Sequence, residues 1–264
     1  MKENSANFKK ELLSPRISLF GGEPLLKSNY GIVEKILEFA EQICIPVAIV
    51  TNGTTLDDDW FKLFEKYKKF MLFQITIDGN KAIHDIRRIR ADGSGTFEKI
   101  CDNVEKILKI GMHLHLRINI DNENINNISE LKDVFDKRGW SKNEFFTPYA
   151  SPVRCFKSGD MPENILTDSE ILDTFMTNGW YGKDDSFLKS LVSPVFGVVT
   201  RFFEMPKNRI KPWKKTYCEG TFGGNYCFTP DGTVTTCLTC VGNEDYGIGK
   251  FDEDGVKIDK NIIR

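Results

Sequence analysis

The sequence contains no apolar run near the roughly 20 residues that a membrane-spanning helix needs. Its first ten residues are polar and of mixed charge, so they lack the apolar stretch of a signal peptide. Seven cysteines in such a chain are expected to be reduced thiols or metal ligands rather than disulfides. We therefore expect a cytoplasmic protein with no membrane-spanning segment.

The chain also lacks an excess of positive charge. Its 36 lysines and arginines stand against 38 aspartates and glutamates, which gives a formal net charge of -2. Nucleic acid is not expected as the main partner, because no basic surplus is available to neutralise phosphates. With 264 residues, 40% of them hydrophobic, the chain is long enough for one large α/β domain and a smaller appendage.

The first 150 residues alternate runs typical of strands with runs typical of amphipathic helices. β-branched and aromatic residues predict strands at residues 16–20, 46–51, 71–77, 113–120 and 144–149. Helical spacing of apolar residues predicts helices at residues 30–43, 96–110 and 128–138, and one more for which Thr55 is the N-cap. The helix at 30–43 is expected to have one apolar face that includes Ile32 and Ile43. Strands separated by such helices favour βαβ units and a parallel sheet.

This alternation stops near residue 150. Thr167 followed by Glu170 has the form of a capping box, which predicts the start of one further helix. Residues 217–251 are rich in glycine, threonine and cysteine, as expected for a small region held by a metal instead of a large core. The predicted divisions are residues 1–150, an irregular or helical connection at 151–210, and residues 211–264.

The sharpest motif, Gly21-Gly22-Glu23-Pro24, follows the first predicted strand directly. Ligands of parallel α/β folds collect at the carboxyl ends of the strands. Two glycines there remove the Cβ atoms that would keep a ligand from the backbone, so N–H and C=O groups can bind a polar ligand such as an α-amino group. A plain glycine turn is the alternative interpretation of these residues taken alone.

The ends of the other predicted strands are polar too. His84 lies among these residues and is expected to be structural or exposed, because no nucleophile accompanies it. An Asp-Gly pair such as the one after the third strand is also common in simple tight turns. The candidate site residues at these strand ends, in chain order, are Asn52, Thr76, Asp78, Arg88, Arg117 and Asn119.

Four cysteines near the carboxyl terminus form a second group of candidate ligands: Cys218, Cys227, Cys237 and Cys240. A turn at residues 229–233 between them is typical of a hairpin tip, and hairpins that carry thiolates on both arms commonly hold zinc or an iron–sulfur cluster. We expect these cysteines to bind metal, either as an iron–sulfur cluster or as zinc.

Taken in order, these motifs resemble the radical S-adenosylmethionine (SAM) superfamily, in particular its SPASM- or twitch-containing branch of peptide and protein maturases. The resemblance implies that the GGEP backbone holds the amino group of SAM. It also implies that Thr76 and Arg88 hold the SAM carboxylate, with Arg87 as the alternative arginine. The other strand-end residues are less specific cofactor contacts by the same resemblance. The implied fold is a partial (β/α)6 TIM-like barrel that lacks its first strand, with a small cysteine-rich, cluster-binding region.

The resemblance implies an oxidoreductase reaction in which a hydrogen atom is abstracted from a peptide or protein substrate. Its cofactors would be SAM and an auxiliary [4Fe–4S] cluster, with zinc as the alternative, and its electron donor a flavodoxin or ferredoxin. The SAM-cleaving cluster of this superfamily is normally held by a C-x3-C-x2-C motif, and the sequence contains none. SPASM domains also normally continue with further cysteine pairs after the last residues seen here. The chain is therefore expected to be shortened at both ends, as a gene fragment, a mis-called start or a degenerate member, and no catalytic residue is identified. An inactive peptide- or partner-binding module and a zinc-stabilised structural module remain alternatives to an enzyme.

Overall fold

The computed structural model describes residues 15–153, 164–179 and 225–259. The chain divides into two compact units. Residues 15–153 and 164–179 belong to the first unit, and residues 225–259 belong to the second.

The first unit is built on an open, five-stranded parallel sheet whose strand order follows the chain, β1-β2-β3-β4-β5. The strands are β1 (Ile17–Leu19), β2 (Val47–Thr51), β3 (Met71–Thr76), β4 (His113–Ile120) and β5 (Phe146–Pro152). The helices are α1 (Tyr30–Gln42), α2 (Asp58–Tyr67), α3 (Lys81–Arg87), α4 (Phe97–Lys109), α5 (Ile128–Lys137) and α6 (Asp168–Thr177). This βα alternation confirms the predicted parallel α/β sheet.

The two faces of the sheet differ because side chains alternate along each strand. In β4, Leu114, Leu116, Ile118 and Ile120 are fully buried in the main hydrophobic cluster, together with residues of α1, α2, α4 and α5. The residues between them are His113, His115, Arg117 and Asn119, and these are exposed or half-buried. The face opposite the helices, which we call the open face, is therefore polar along β4.

Two details of the helices differ from the sequence-based expectations. Asp57, not Thr55, is the N-cap of α2, and its carboxylate accepts hydrogen bonds from the backbone N–H groups of Asp59 and Trp60. Ile32 and Ile43 are 64% and 43% exposed, so they do not belong to the buried face of α1. That face is narrower than the apolar pattern suggested and consists of Val33, Leu37 and Ala40.

Helix α6 begins as the sequence predicted, whereas helix α3 was not predicted. The capping box of α6 is confirmed: the Thr167 hydroxyl accepts from the Glu170 N–H, and the Glu170 carboxylate accepts from the Thr167 N–H. The short helix α3 was not predicted, because its sequence is mostly polar and only seven residues long. It begins after Asn80, whose side chain accepts from the Ile83 N–H.

The second unit contains a four-stranded antiparallel sheet in the order β6-β7-β8-β9. Its strands are β6 (Cys227–Phe228), β7 (Thr233–Thr235), β8 (Gly247–Asp252) and β9 (Gly255–Ile258). The predicted hairpin at residues 229–233 is confirmed as the connection between β6 and β7. Across the described ranges of both units, no helix is long and apolar enough to cross a bilayer.

Candidate functional site

Most of the candidate site residues of the first unit lie where strands β1 to β4 end. Thr76 is the last residue of β3, and it is paired in register with Arg117 of β4, which is in turn paired with Tyr149 of β5. These three side chains share the open face of the sheet. The hydroxyl of Thr76 has no hydrogen-bond partner among the described residues.

The GGEP segment forms a tight turn after β1. Gly21 and Gly22 have φ angles of +91° and +48°, and a Cβ atom at either would meet nothing within 4 Å. Glycine is needed here for the left-handed backbone and not for space. The Pro24 carbonyl accepts a hydrogen bond from the Asn29 side chain at 3.2 Å. The open surroundings of the two glycines leave their backbone accessible to a ligand.

Glu23 connects this turn to the next strand end. Its Oε1 accepts from the Thr51 hydroxyl at 2.6 Å and from the Leu25 N–H at 3.0 Å. Its Oε2 accepts from the Asn52 N–H at 2.7 Å. The Asn52 side chain accepts from both the N–H and the hydroxyl of Thr54. Glu23 and Asn52 thus hold the two loops against each other.

The structure distinguishes the two adjacent arginines. Arg87 contacts two carboxylates, Asp121 at 2.7 Å and Glu123 at 2.8 Å. Arg88 uses its Nε to contact the buried Asp78 at 2.6 Å. No described residue contacts the terminal amino groups of Arg88, whose side chain is 31% exposed. Arg88 is therefore oriented by Asp78 and keeps donors for a further anion.

A buried histidine completes a closed ring of hydrogen bonds around this pair. The Asp78 N–H donates to His84 Nδ1 at 3.2 Å, and His84 Nε2 lies 3.0 Å from the Thr96 hydroxyl. That hydroxyl donates its only proton to the Arg88 carbonyl at 2.7 Å, so Nε2 must be the donor to Thr96. Burial lowers the pKa of His84 to about 4, which keeps its imidazole neutral near pH 7.

Tyr149 and Gln74 join the site on the open face, although they were not among the predicted site residues. The Tyr149 hydroxyl donates to Gln74 Oε1 at 2.8 Å. Burial raises the pKa of Tyr149, and contact with Arg117 opposes that rise. Arg117 also donates from Nε to Asn119 Oδ1 at 2.8 Å. The signal for these residues in the sequence was the same two-residue alternation that places Arg117 and Asn119 on this face.

Three of the four predicted metal ligands lie in the second unit, and Cys218 lies outside the described residues. Burial raises the pKa of the Cys227 thiol, and the neighbouring Cys237 and Cys240 raise it further. The Thr239 hydroxyl, 2.9 Å from Cys237 Sγ, lowers the pKa of Cys237. Within residues 15–153, 164–179 and 225–259, no three histidine, cysteine or acidic side chains are arranged to hold a metal ion.

Comparison with known proteins gives these motifs a family. The model of the radical SAM superfamily matches residues 3–135. A cysteine-type anaerobic sulfatase-maturating enzyme of Clostridium novyi is 28% identical over 239 residues, which cover 88% of this chain and 61% of that enzyme. An S-adenosylmethionine-dependent nucleotide dehydratase of Psychrobacter lutiphocae is 23% identical over 130 residues, covering 49% of this chain and 42% of that protein.

Solved structures show the same fold. Native anSMEcpe with bound AdoMet and Kp18Cys peptide superposes with a TM-score of 0.64 at 20% identity, covering 89% of this chain and 63% of that one. Streptococcus suis SuiB bound to precursor peptide SuiA gives a TM-score of 0.57 at 12% identity, covering 87% and 50%.

The chain spans about three-fifths of the length of its sulfatase-maturating relative from C. novyi. The parallel sheet agrees with the matched fold, and the family match covers half of the chain. The chain belongs to the radical SAM superfamily.

Proposed function

We propose that this chain binds SAM at the carboxyl ends of β1 to β4 as part of a peptide- or protein-modifying radical enzyme. The observation that carries the proposal is the hydrogen bonding of the Arg88 guanidinium. Asp78 fixes its Nε at 2.6 Å, while its terminal amino groups have no partner among the described residues. A guanidinium held in this way is prepared for a planar carboxylate such as that of SAM.

Each site residue is assigned a role from the hydrogen bonds that it makes or leaves unmade. The backbone of Gly21 and Gly22, which is open to ligand, binds the amino group of SAM. Thr76 donates its unpaired hydroxyl to the SAM carboxylate beside Arg88. Glu23, Asn52, Asp78 and Asn119 bond to neighbouring backbone or side chains, so we assign them to shaping the site.

The iron–sulfur cluster of the superfamily, when bound, supplies the electron that cleaves SAM to a hydrogen-abstracting radical. The C-x3-C-x2-C motif that holds it is absent from this sequence, so the residues of this chain do not fit that cluster. What these residues do is bind and orient SAM. We further propose that a flavodoxin or ferredoxin is the electron donor and that the protein is cytoplasmic.

Peptides are the substrate class that we propose. Two observations on relatives support this choice: anSMEcpe is solved with the Kp18Cys peptide, and SuiB with the precursor peptide SuiA. The polar open face of β3 to β5 offers donors and acceptors for such a substrate.

The proposal extends to a metal site at Cys218, Cys227, Cys237 and Cys240. Its support is that Cys237 and Cys240, in the turn after β7, lie near enough to Cys227 of β6 to raise the pKa of its thiol. We retain residues 211–264 as the proposed cluster-binding region, after 1–150 as the barrel region and 151–210 as the connection. An iron–sulfur cluster and zinc remain the two candidate occupants.

Binding of SAM to the purified chain tests the central assignment. Equilibrium dialysis with labelled SAM should show that Arg88→Gln weakens binding about tenfold or more, since a charge-assisted pair is lost. Arg90→Gln is the matched control, because Arg90 is exposed and no described carboxylate contacts it. Equal affinity of the Arg88→Gln variant and the native chain would contradict the assignment.

A binding protein without turnover is the second candidate, and the missing C-x3-C-x2-C motif favours it. After anaerobic reconstitution with iron, sulfide and a reductant, an enzyme converts SAM to 5′-deoxyadenosine. Saturable SAM binding with no 5′-deoxyadenosine would establish the binding protein instead.

A further inference from the structure

Arg117 differs from the other half-buried arginines of the first unit. Arg87, Arg88 and Arg138 each contact a carboxylate at 2.6 to 2.7 Å. Arg117 is similarly half-buried, yet no carboxylate of the described residues lies within ion-pair distance of its guanidinium. A charge withdrawn from water without a counterion is unfavourable, because its lost hydration is not replaced.

Neutral side chains surround this arginine. Nε of Arg117 donates to Asn119 Oδ1 at 2.8 Å. The Tyr149 hydroxyl gives its proton to Gln74, so its oxygen is left as an acceptor towards Arg117. These contacts fix the guanidinium in place, and among the described residues none balances its charge.

The next residue towards the start of the strand on this face does not supply the missing charge. His115 is paired in register with Gln74, and a histidine carries no negative charge in either protonation state. Partial loss of water, with the neighbouring His113 and Arg16, lowers its pKa, which disfavours a second cation there. One fixed guanidinium with hydroxyl and amide neighbours matches a singly charged, planar anion better than a phosphate, which usually engages several cations or a helix N-terminus.

We propose that Arg117, supported by Tyr149 and Asn119, is a carboxylate-binding subsite for the substrate peptide. This rests on the proposed function, in which Arg88 binds the carboxylate of SAM and Arg117, on the open face, remains for a second carboxylate. It gives Arg117 a ligand different from the cofactor contact expected from the family resemblance. The substrate would then carry an acidic side chain, or its own carboxyl terminus, near the modified residue.

The side-chain Nε–H resonance of Arg117, assigned by its absence from the Arg117→Gln variant, reports on this subsite. The probes are N-acetylglutamate N-methylamide, its uncharged glutamine counterpart, and N-acetylglutamine with a free carboxyl terminus. We expect the glutamate probe to shift the resonance saturably, with a dissociation constant on the order of 1 mM, and the uncharged probe to leave it unchanged. The free-acid glutamine probe shows whether a terminal carboxylate binds as well.

Two results would overturn the proposal. One is an equal response to the charged and uncharged probes, and the other is a response of Arg117 to SAM alone. Arg138→Gln serves as the control, because Arg138 is half-buried but already paired with Glu98 and Glu105, so the Arg117 response should persist. A native chain that binds the glutamate probe but not SAM would refute the proposed cofactor site and leave the carboxylate site standing.

Discussion

Histidine is a common catalytic residue, but the buried surroundings of His84 give it a structural role. Both imidazole nitrogens form hydrogen bonds, as part of the closed network of Asp78, His84, Thr96 and Arg88. The sequence allowed the prediction that His84 is not a catalytic group, since no nucleophile accompanied it. It could not show that His84 is fully buried, because that depends on how α3 packs against the end of β3.

The lowered pKa of His84 makes stability depend on pH. Its pKa is about 4 in the folded chain and near 6.5 when unfolded, so the unfolded state takes up a proton first as the pH falls. The stabilising contribution is complete above about pH 6.5 and is lost as the pH falls towards 4. Between pH 7 and pH 5 we expect the free energy of unfolding to fall by about 2 kcal/mol from this group.

Urea unfolding of the native chain and of His84→Gln at both pH values isolates this contribution. Other groups titrate in both proteins, so the difference between the two pH dependences belongs to His84. If the two proteins lose the same free energy between pH 7 and pH 5, His84 is not held neutral in the folded chain.

The ends of the helices show what local sequence cannot decide. The run Thr54-Thr55-Leu56-Asp57-Asp58-Asp59 offers several residues that favour an N-cap. Asp57 takes the position because Leu56 and Trp60 on either side are both buried, which fixes where the first turn begins. The sequence predicted the existence of α2 correctly, and its start only to within two residues.

Replacing the cap should destabilise the chain measurably. Asp57→Ala removes the acceptor for two backbone N–H groups and one ion pair to Lys27, which is exposed and contributes little. We expect a loss of about 1 kcal/mol in the free energy of unfolding. Asp58→Ala is the control: its side chain is 89% exposed and caps nothing, so its effect should stay within about 0.5 kcal/mol.

Strand β4 was predicted with its observed bounds, since its apolar and polar residues alternate throughout. Leu116 is fully buried on the helix-covered face, whereas Thr147, on the neighbouring strand, is exposed on the open face. Leu116→Ala should therefore cost about 2–5 kcal/mol in chemical denaturation, and Thr147→Ala much less. Comparable losses in the two variants would mean that the faces are assigned the wrong way round.

At the scale of the molecule, the two units are stabilised by different means. The first unit shares one extensive hydrophobic cluster across its sheet and helices. In the described part of the second unit, the buried apolar side chains are Cys227, Val234 and Ile248. These three side chains contribute little, so we infer that the sheet of residues 225–259 depends on the proposed metal site.

More of the candidate SAM site than of this metal dependence could be predicted from the sequence. Motif order placed the GGEP turn and Thr76 at strand ends, because parallel strands bring their carboxyl ends together whatever the helices between them, whereas Arg88 lies at the end of α3. It could not indicate that Asp78 orients Arg88, or that no described carboxylate pairs with Arg117, because both depend on side-chain packing in the folded chain. The spacing of the cysteines cannot distinguish zinc from an iron–sulfur cluster, since thiolates bind both.

Removing the metal should therefore affect the two units unequally. Hydrogen exchange measured by mass spectrometry, on the metal-loaded chain before and after a strong chelator, follows both units in one sample. Amides of β6 to β8 should lose their protection, while those of β2 to β4 keep it, because the first core contains none of the proposed metal ligands. Cys237→Ala should reproduce the change without chelator, and Cys44→Ala should not, because Cys44 is exposed in the first unit. Unchanged protection of β6 to β8 in the metal-free chain would show that their hydrogen bonds suffice, and the cysteines would then have no structural role in this unit.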